Sequence, residues 1–234
     1  MYMVNTLLVL AGGEGTRLKE ITGNTSKPLV KISGQPIITG IINKLLKELF
    51  IEKVYLLIQR KHLNQYVDYI KDQKEYINAE IELFIEEEKL GTGGAIKNFL
   101  KKNNIFWFYA TNADTIIKSN ISEFKHSKLN SILCTEIVND SRFGSVQVDN
   151  QNKIKKFDNV KKQGISLINV GLYKLEGSIF FDIKEEVFDL ENRVFPLLAE
   201  RGRLNCFKIS SDFQDIGIPE AYWNEVKSLS LDPK

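Results

Sequence analysis

Apolar positions follow two rhythms along the 234-residue chain, and the rhythm changes near its midpoint. An unbroken run of Leu and β-branched residues at 6–11 has the length and content of a strand buried on both faces. Behind Pro36, Ile38, Ile41, Ile42, Leu45, Leu46 and Leu49 fall on one helical face, predicting a helix to residue 50 with Lys44, Lys47 and Glu48 towards water. Residues 53–58 read as a second strand and 62–72 as a second helix. At 80–85, Ile81, Leu83 and Ile85 alternate with Glu80, Glu82 and Phe84, predicting a third strand. A helix at 95–101 and an aromatic strand at 105–110 follow. Strands alternating with helices predict an α/β fold, a Rossmann-like, mostly parallel sheet flanked by helices.

The second half is dominated by strand-like runs at 131–138, 143–149, 153–157, 167–174 and 203–209. Short helices are expected only at 179–181 and 194–200. A last helix, 219–228, would lay Tyr222, Trp223 and Val226 on the body. This half reads as an added mixed β region on the same sheet, within a single domain, with 1–115 and 116–234 as its two halves.

Composition narrows the classes. Hydrophobic residues at 43% and charged residues at 26% suit an ordinary soluble domain, and a net charge of +2 with scattered Lys and Arg leaves no footprint for nucleic acid. No apolar stretch approaches a membrane span and residues 1–5 run straight into a strand, so a cytoplasmic protein without a membrane partner is expected. Cys134 and Cys206 sit inside strand-like runs and read as small buried hydrophobes. With only His62 and His126 to join them, zinc is not expected.

The chemistry concentrates after the first strand. Leu8-Val9-Leu10-Ala11-Gly12-Gly13-Glu14-Gly15-Thr16-Arg17-Leu18 is followed by Ser26-Lys27-Pro28-Leu29. Glycines allow a sharp turn that brings backbone N–H groups against an anion, and Arg17 and Lys27 add charge. No Gly-Lys-Ser/Thr closes a Walker loop, and the spacing is G-G-x-G rather than G-x-G-x-x-G. The whole string resembles the signature of sugar-phosphate nucleotidylyltransferases, and the resemblance continues in order to Glu220.

Leu90-Gly91-Thr92-Gly93-Gly94-Ala95 reads by itself either as a turn with an N-capping threonine or as bare main chain against a flat ligand. It is similar to the family's L-G-T-G/A-G-A segment, which implies nucleotide contacts from Gly91, Thr92 and Gly93, alongside Leu10, Ala11, Gly12, Gly13, Gly15, Thr16 and Asn112. Glu88, in the run Glu86-Glu87-Glu88, is a candidate acceptor for guanine N1 and N2. Asp114, ending Ala110-Thr111-Asn112-Ala113-Asp114, matches the family's first metal-binding aspartate, though Ala113 replaces the usual glycine. Phe213-Gln214-Asp215-Ile216-Gly217-Ile218-Pro219-Glu220 resembles W-x-D-I-G-T-P-E, which implies that Asp215 is the second. On the acceptor side, Phe143-Gly144 and Ile168-Asn169-Val170-Gly171-Leu172-Tyr173 are similar to sugar-contacting segments, pointing to Gly144, Asn169 and Gly171. The family's F-x-E-K is replaced by Phe157-Asp158-Asn159-Val160-Lys161, so Lys161, Lys155 or Lys156 takes the sugar-phosphate role, or this is a solvated lysine cluster.

The resemblance implies that residues 1–115 bind nucleotide and 116–234 the acceptor, in a domain standing alone without an appended β-helix. It implies attack of a sugar 1-phosphate on the α-phosphorus of a nucleoside triphosphate, with Mg²⁺ on Asp114 and Asp215 and with Arg17 and Lys27 as catalytic cations. The string E-E-x-L-G-T-G-G-A-I is most similar to guanylyltransferases, implying GTP and D-glycero-D-manno-heptose 1-phosphate, as in bacterial surface-polysaccharide pathways. Mannose 1-phosphate, uridylyl or cytidylyl transfer, and a non-catalytic nucleotide-sugar sensor are the alternatives. A dehydrogenase is disfavoured because Ile58-Gln59-Arg60 leaves no acidic residue at the end of the second strand. Oligomeric state, homo-oligomers included, stays open.

Overall fold

The computed structural model describes residues 4–73, 76–138, 145–158, 164–210 and 213–231. The first half contains β1 (Thr6–Leu10), α1 (Ile37–Leu49), β2 (Lys53–Gln59), α2 (Leu63–Gln73), β3 (Glu80–Glu86), α3 (Gly91–Lys102), β4 (Trp107–Asn112) and β5 (Thr115–Ile117). The second contains β6 (Ser131–Val138), β7 (Ser145–Val148), β8 (Ile154–Asp158), β9 (Ile165–Glu176), α4 (Phe195–Glu200), β10 (Asn205–Ile209), β11 (Phe213–Asp215) and α5 (Pro219–Leu231).

Among the described residues, nine strands form one sheet whose main path runs β8-β7-β9-β4-β1-β2-β3, with β6 against β9 and β10 against β6. The strands β4, β1, β2 and β3 are parallel neighbours, as the alternation with helices requires. The expected Rossmann-like sheet is present, and its burial explains the unbroken apolar runs. Leu7 and Val9 of β1, with Val54, Leu56 and Ile58 of β2, join Ile38, Ile42 and Leu45 of α1 in one core. Leu8, Tyr55 and Leu57, the alternate positions, face Ile96 and Phe99 of α3 in a second core. Both faces are apolar because both are covered.

Several boundaries differ from the pattern-based expectation. Helix α3 starts at Gly91, not residue 95, and the Asp189 carboxylate accepts from Thr92 N in its first turn. Glu48 does not simply face water: its Oε2 accepts from Ile121 N at 2.6 Å, tying α1 to the chain after β5. In α5, Tyr222 is buried and donates to Lys31 O at 3.1 Å, whereas Trp223 stays 51% exposed. The expected mixed β region on the same sheet is present, and strand β9 joins it to the first half. This strand lies antiparallel directly beside β4, with Leu172 opposite Thr111, so the second half extends the sheet outward from the β4 side of the parallel group.

Phe99 of α3 is fully buried, with ring centroids 4.7 Å from Tyr55 and 5.2 Å from Phe84. Phe99→Ala is expected to cost about 3–5 kcal/mol, read from urea unfolding midpoints. A loss under about 1 kcal/mol would mean that this core collapses around the missing ring.

Candidate active site

The site is built where β1 and β4 end. Leu10 lies opposite Asn112 in their parallel register, so both strands release the chain at the same sheet edge. Such an edge is where open α/β sheets take ligands. Asp114 lies two residues beyond β4. The short β5–β11 ladder then places Asp215 opposite Thr115, and Ile216 N donates to Asp114 O at 2.9 Å. Two aspartates far apart in sequence are thereby brought to one ladder, Asp114 in the turn just before β5 and Asp215 at the end of β11.

Lys27 comes to the same point from its own loop. Its Nζ donates to Asp114 Oδ2 at 2.5 Å, with the lysine side chain 10% exposed. Gly15 sits at φ +60°, and a Cβ there would lie 3.0 Å from Lys27 Cβ. The glycine loop is thus folded against the lysine stem, which a side chain at residue 15 would obstruct.

Two clefts meet over this edge. The first, about 280 Å³, is lined by Ala11, Gly15, Thr16, Arg17 and Lys27 among others. The second, also about 280 Å³, includes Gly12, Gly91, Thr92 and Asn112. Leu10, Gly13, Lys89 and Asp114 line both. The first has the cations that a polyphosphate needs, and the second is flanked by the carboxylates Glu86 and Asp189.

Two glycines in the first turn of α3 are bare where the chain at 186–188 packs against them. A Cβ on Gly93 would fall 2.4 Å from the Phe188 ring, and one on Gly94 would fall 2.2 Å from Glu186 O. Both backbone N–H groups donate to Phe188 O at 3.0 Å. Gly93 therefore meets residue 188 rather than lining either cleft. Thr92 is no N-cap either: its own N–H donates to the Asp189 carboxylate at 3.0 Å, and its Oγ1 accepts from Leu190 N at 2.9 Å. Asp189 caps α3 from across the cleft, a favourable place for an anion.

The acidic run is read differently as well. Glu88 is exposed and lines neither cleft, and Glu87 pairs with Arg60. Glu86 is the buried one, 5% exposed, and lines the second cleft beneath Gly12, where a Cβ would meet its Oε1 at 2.8 Å. Strand parity carried that signal: Glu86 shares a face with Phe84, which packs on α3. Burial raises the Glu86 carboxyl from the ordinary 4.5 to about 7. Lys89 and Asp189 were the other residues that pattern reading passed over.

On the acceptor side, Gly144 and Lys161 lie outside the described residues, as do Phe143, Asn159 and Val160. Lys155 pairs with Asp149 at 3.1 Å. Asn169 Oδ1 accepts from Gly171 N at 2.8 Å, and its Nδ2 donates to Tyr173 Oη at 2.9 Å. Gly171, at φ +91°, would carry a Cβ 2.6 Å from Asn112 Nδ2. Its bareness lets β9 bring Asn169 close to the nucleotide-side edge.

The Nucleotidyl transferase family model matches residues 6–230. The chain belongs to that family. It is 36% identical over 223 residues to the D-glycero-alpha-D-manno-heptose 1-phosphate guanylyltransferase of Campylobacter jejuni, covering 93% of this chain and 96% of that protein. It is 34% identical over 224 residues to Bifunctional protein GlmU of Methanococcus maripaludis, covering 91% of this chain and 51% of the relative, so the chain spans about half the length of that curated relative. The crystal structure of HddC from Yersinia pseudotuberculosis superposes with a TM-score of 0.82 at 30% identity, over 97% of this chain and all (100%) of that one. The same Yersinia protein complexed with GMP-PN gives 0.78 at 29% identity, over 97% and 100% of the two chains. The nucleotidyl transferase fold is therefore shared with solved relatives. Among the described residues no helix is long and apolar enough to cross a membrane.

Among the described residues no three His, Cys, Asp or Glu side chains cluster for a metal. The edge instead offers Asp114, which lines both clefts, and on the neighbouring strand Asp215, which lines neither and whose Oδ1 accepts from Gly217 N at 2.8 Å. That donor set suits Mg²⁺, which takes one or two carboxylates and completes its shell with phosphate oxygens and water.

The raised Glu86 carboxyl makes a pH prediction. Between pH 4.5 and about 7 the native state keeps a proton that the unfolded chain has lost, so stability falls as pH rises through that window. Glu86→Gln should remove this fall, seen by comparing urea unfolding of the two proteins at pH 5 and pH 8. An equal pH dependence in both would show that Glu86 titrates normally.

Proposed function

We propose that this protein transfers a nucleotidyl group from a nucleoside triphosphate to a sugar 1-phosphate, releasing pyrophosphate. GTP and D-glycero-α-D-manno-heptose 1-phosphate are the preferred pair, giving GDP-heptose, with a cytoplasmic role in supplying surface polysaccharide such as capsule. The observation that carries this reading is the convergence of Arg17, Lys27 and Asp114 on one cleft at the sheet edge, with Asp215 on the strand paired next to it and a second cleft that holds a buried carboxylate.

A non-bridging oxygen of the sugar phosphate attacks the α-phosphorus, and the bond from that phosphorus to the β-phosphate oxygen breaks. The dianionic monoester is already a nucleophile at neutral pH, so no general base is needed. Positioning and charge neutralisation carry the acceleration. Arg17 stabilises the departing pyrophosphate together with the main chain of residues 12–16, and Lys27 neutralises the reacting phosphates. Asp114 and Asp215 would hold Mg²⁺, which when bound offsets phosphate charge.

The base preference rests on Glu86. Guanine presents N1–H and an N2 amino group, and an ionised carboxylate accepts from both. Uracil presents one N–H between two carbonyls and matches a carboxylate less well. The heptose preference is supported by the similarity to the Campylobacter protein over nearly its whole length. Mannose 1-phosphate is the second acceptor, since relatives include a mannose-1-phosphate guanyltransferase of Aspergillus oryzae, 28% identical over 227 residues.

Pyrophosphate release should be measured for the four common nucleoside triphosphates against a panel of sugar 1-phosphates. Release with GTP and the manno-configured heptose phosphate is expected. UTP or CTP as donor would keep the chemistry and overturn the role of Glu86, and silence throughout would leave the sensor reading. With the active pair, Arg17→Ala should lose about 3 kcal/mol of transition-state stabilisation, a loss in kcat rather than in nucleotide affinity.

A further inference from the structure

Lys27 lies on a loop, and a loop holds a side chain at a reacting centre only if its neighbours fix it. Behind the lysine, Leu29 N donates to Ser26 O at 2.9 Å and Val30 N to Lys27 O at 3.2 Å, closing a tight turn. Ahead of it the restraint comes from α2, a helix that lines neither cleft. Gln65 Oε1 accepts from Ser26 N at 2.8 Å, and Gln65 Nε2 donates to Asn24 O at 2.8 Å. One planar amide thus satisfies a donor and an acceptor of the same loop, fixing its place and its orientation. The next residue, Tyr66, is fully buried and has its hydroxyl 3.1 Å from Ser26 Oγ.

We propose that Gln65 is a positioning residue for nucleotidyl transfer, acting through the loop 24–26 to hold Lys27 at the reacting phosphates. The proposal rests on the function given above. Gln65 is only half-buried on a helix surface, and both ends of its amide are spent on the loop. Without it, Ser26–Tyr66 is the side-chain contact left between α2 and residues 24–26, beside local backbone turns and the Lys27–Asp114 pair, and the lysine can shift. Misplacing a catalytic group by about 1 Å is enough to cost about 100-fold.

The test is kcat for the wild type, Gln65→Ala, Lys27→Met and the double variant, using GTP with D-glycero-α-D-manno-heptose 1-phosphate or whichever pair turns over. Gln65→Ala is expected to lower kcat by about 10- to 100-fold with GTP affinity little changed, and to lower it no further in the Lys27→Met background. An equal loss in both backgrounds, or no loss where Lys27→Met loses activity, overturns the positioning role. Wild-type turnover by Lys27→Met overturns the assigned role of the lysine itself, and silence of the wild type with every pair overturns the reaction; either removes the proposal. Should Gln65→Ala prove unstable in thermal unfolding, Gln65→Glu decides. It keeps the acceptor for Ser26 N but can donate to Asn24 O only when protonated, so its kcat relative to wild type must recover as pH falls. A ratio flat with pH contradicts the clamp.

Discussion

Lys27 and Asp114 meet across a chain separation that only the folded sheet can close. The lysine comes from the loop after β1 and the aspartate from the chain after β4, and 2.5 Å separates Nζ from Oδ2. Much else is arranged around that contact. Parallel pairing of β1 with β4 sets both exits at one edge, the bare Gly15 lets the loop close on the lysine stem, and the β5–β11 ladder adds Asp215 alongside. A partly buried pair of this kind is weak evidence for stability, since desolvating both ions offsets their attraction. Its value is geometric. It keeps a cation and a metal-suited carboxylate beside each other before any phosphate arrives, with little left to reorganise at the reaction.

The two clefts divide the labour of recognition. The first carries Arg17 and Lys27, whose charge suits a polyphosphate. The second is narrower in chemistry, with Glu86 and Asp189 as its acidic walls. Asp189 also caps α3, so a single side chain helps hold the Gly91–Thr92 turn and borders the ligand space. Glu86 pays for its place through desolvation, which is why its carboxyl titrates near 7, and donors on a bound base would favour the ionised form.

Much of this was legible in the chain. The helical stripe from Ile38 to Leu49 and the doubly buried run of β1 follow from periodicity, because each meets a single environment along its length. The phosphate-binding string and the two aspartates came from motif order. What was not legible depends on contacts between distant segments. Gly93 and Gly94 are bare because residues 186–188 press on them, which no local reading separates from a ligand's approach. Three-residue strands such as β5 and β11 are too short to show a period, and the placement of β9 beside β4 is a matter of topology rather than pattern. Glu86 was within reach in part: counting parity from Phe84 selects it over Glu87, whereas Glu88 has the same parity and is set apart only by lying beyond the end of β3.

The most direct test is the single-turnover rate of Asp114→Asn, with the fold checked by thermal unfolding. The substitution keeps size and shape while removing the charge that pairs with Lys27 and suits Mg²⁺. A folded variant whose rate falls by about three orders of magnitude or more is the predicted result, on the scale of losing a preorganised electrostatic contact at a reacting centre. A folded variant with wild-type turnover would contradict the account, because the edge where β1 and β4 end would then not be where phosphoryl chemistry takes place.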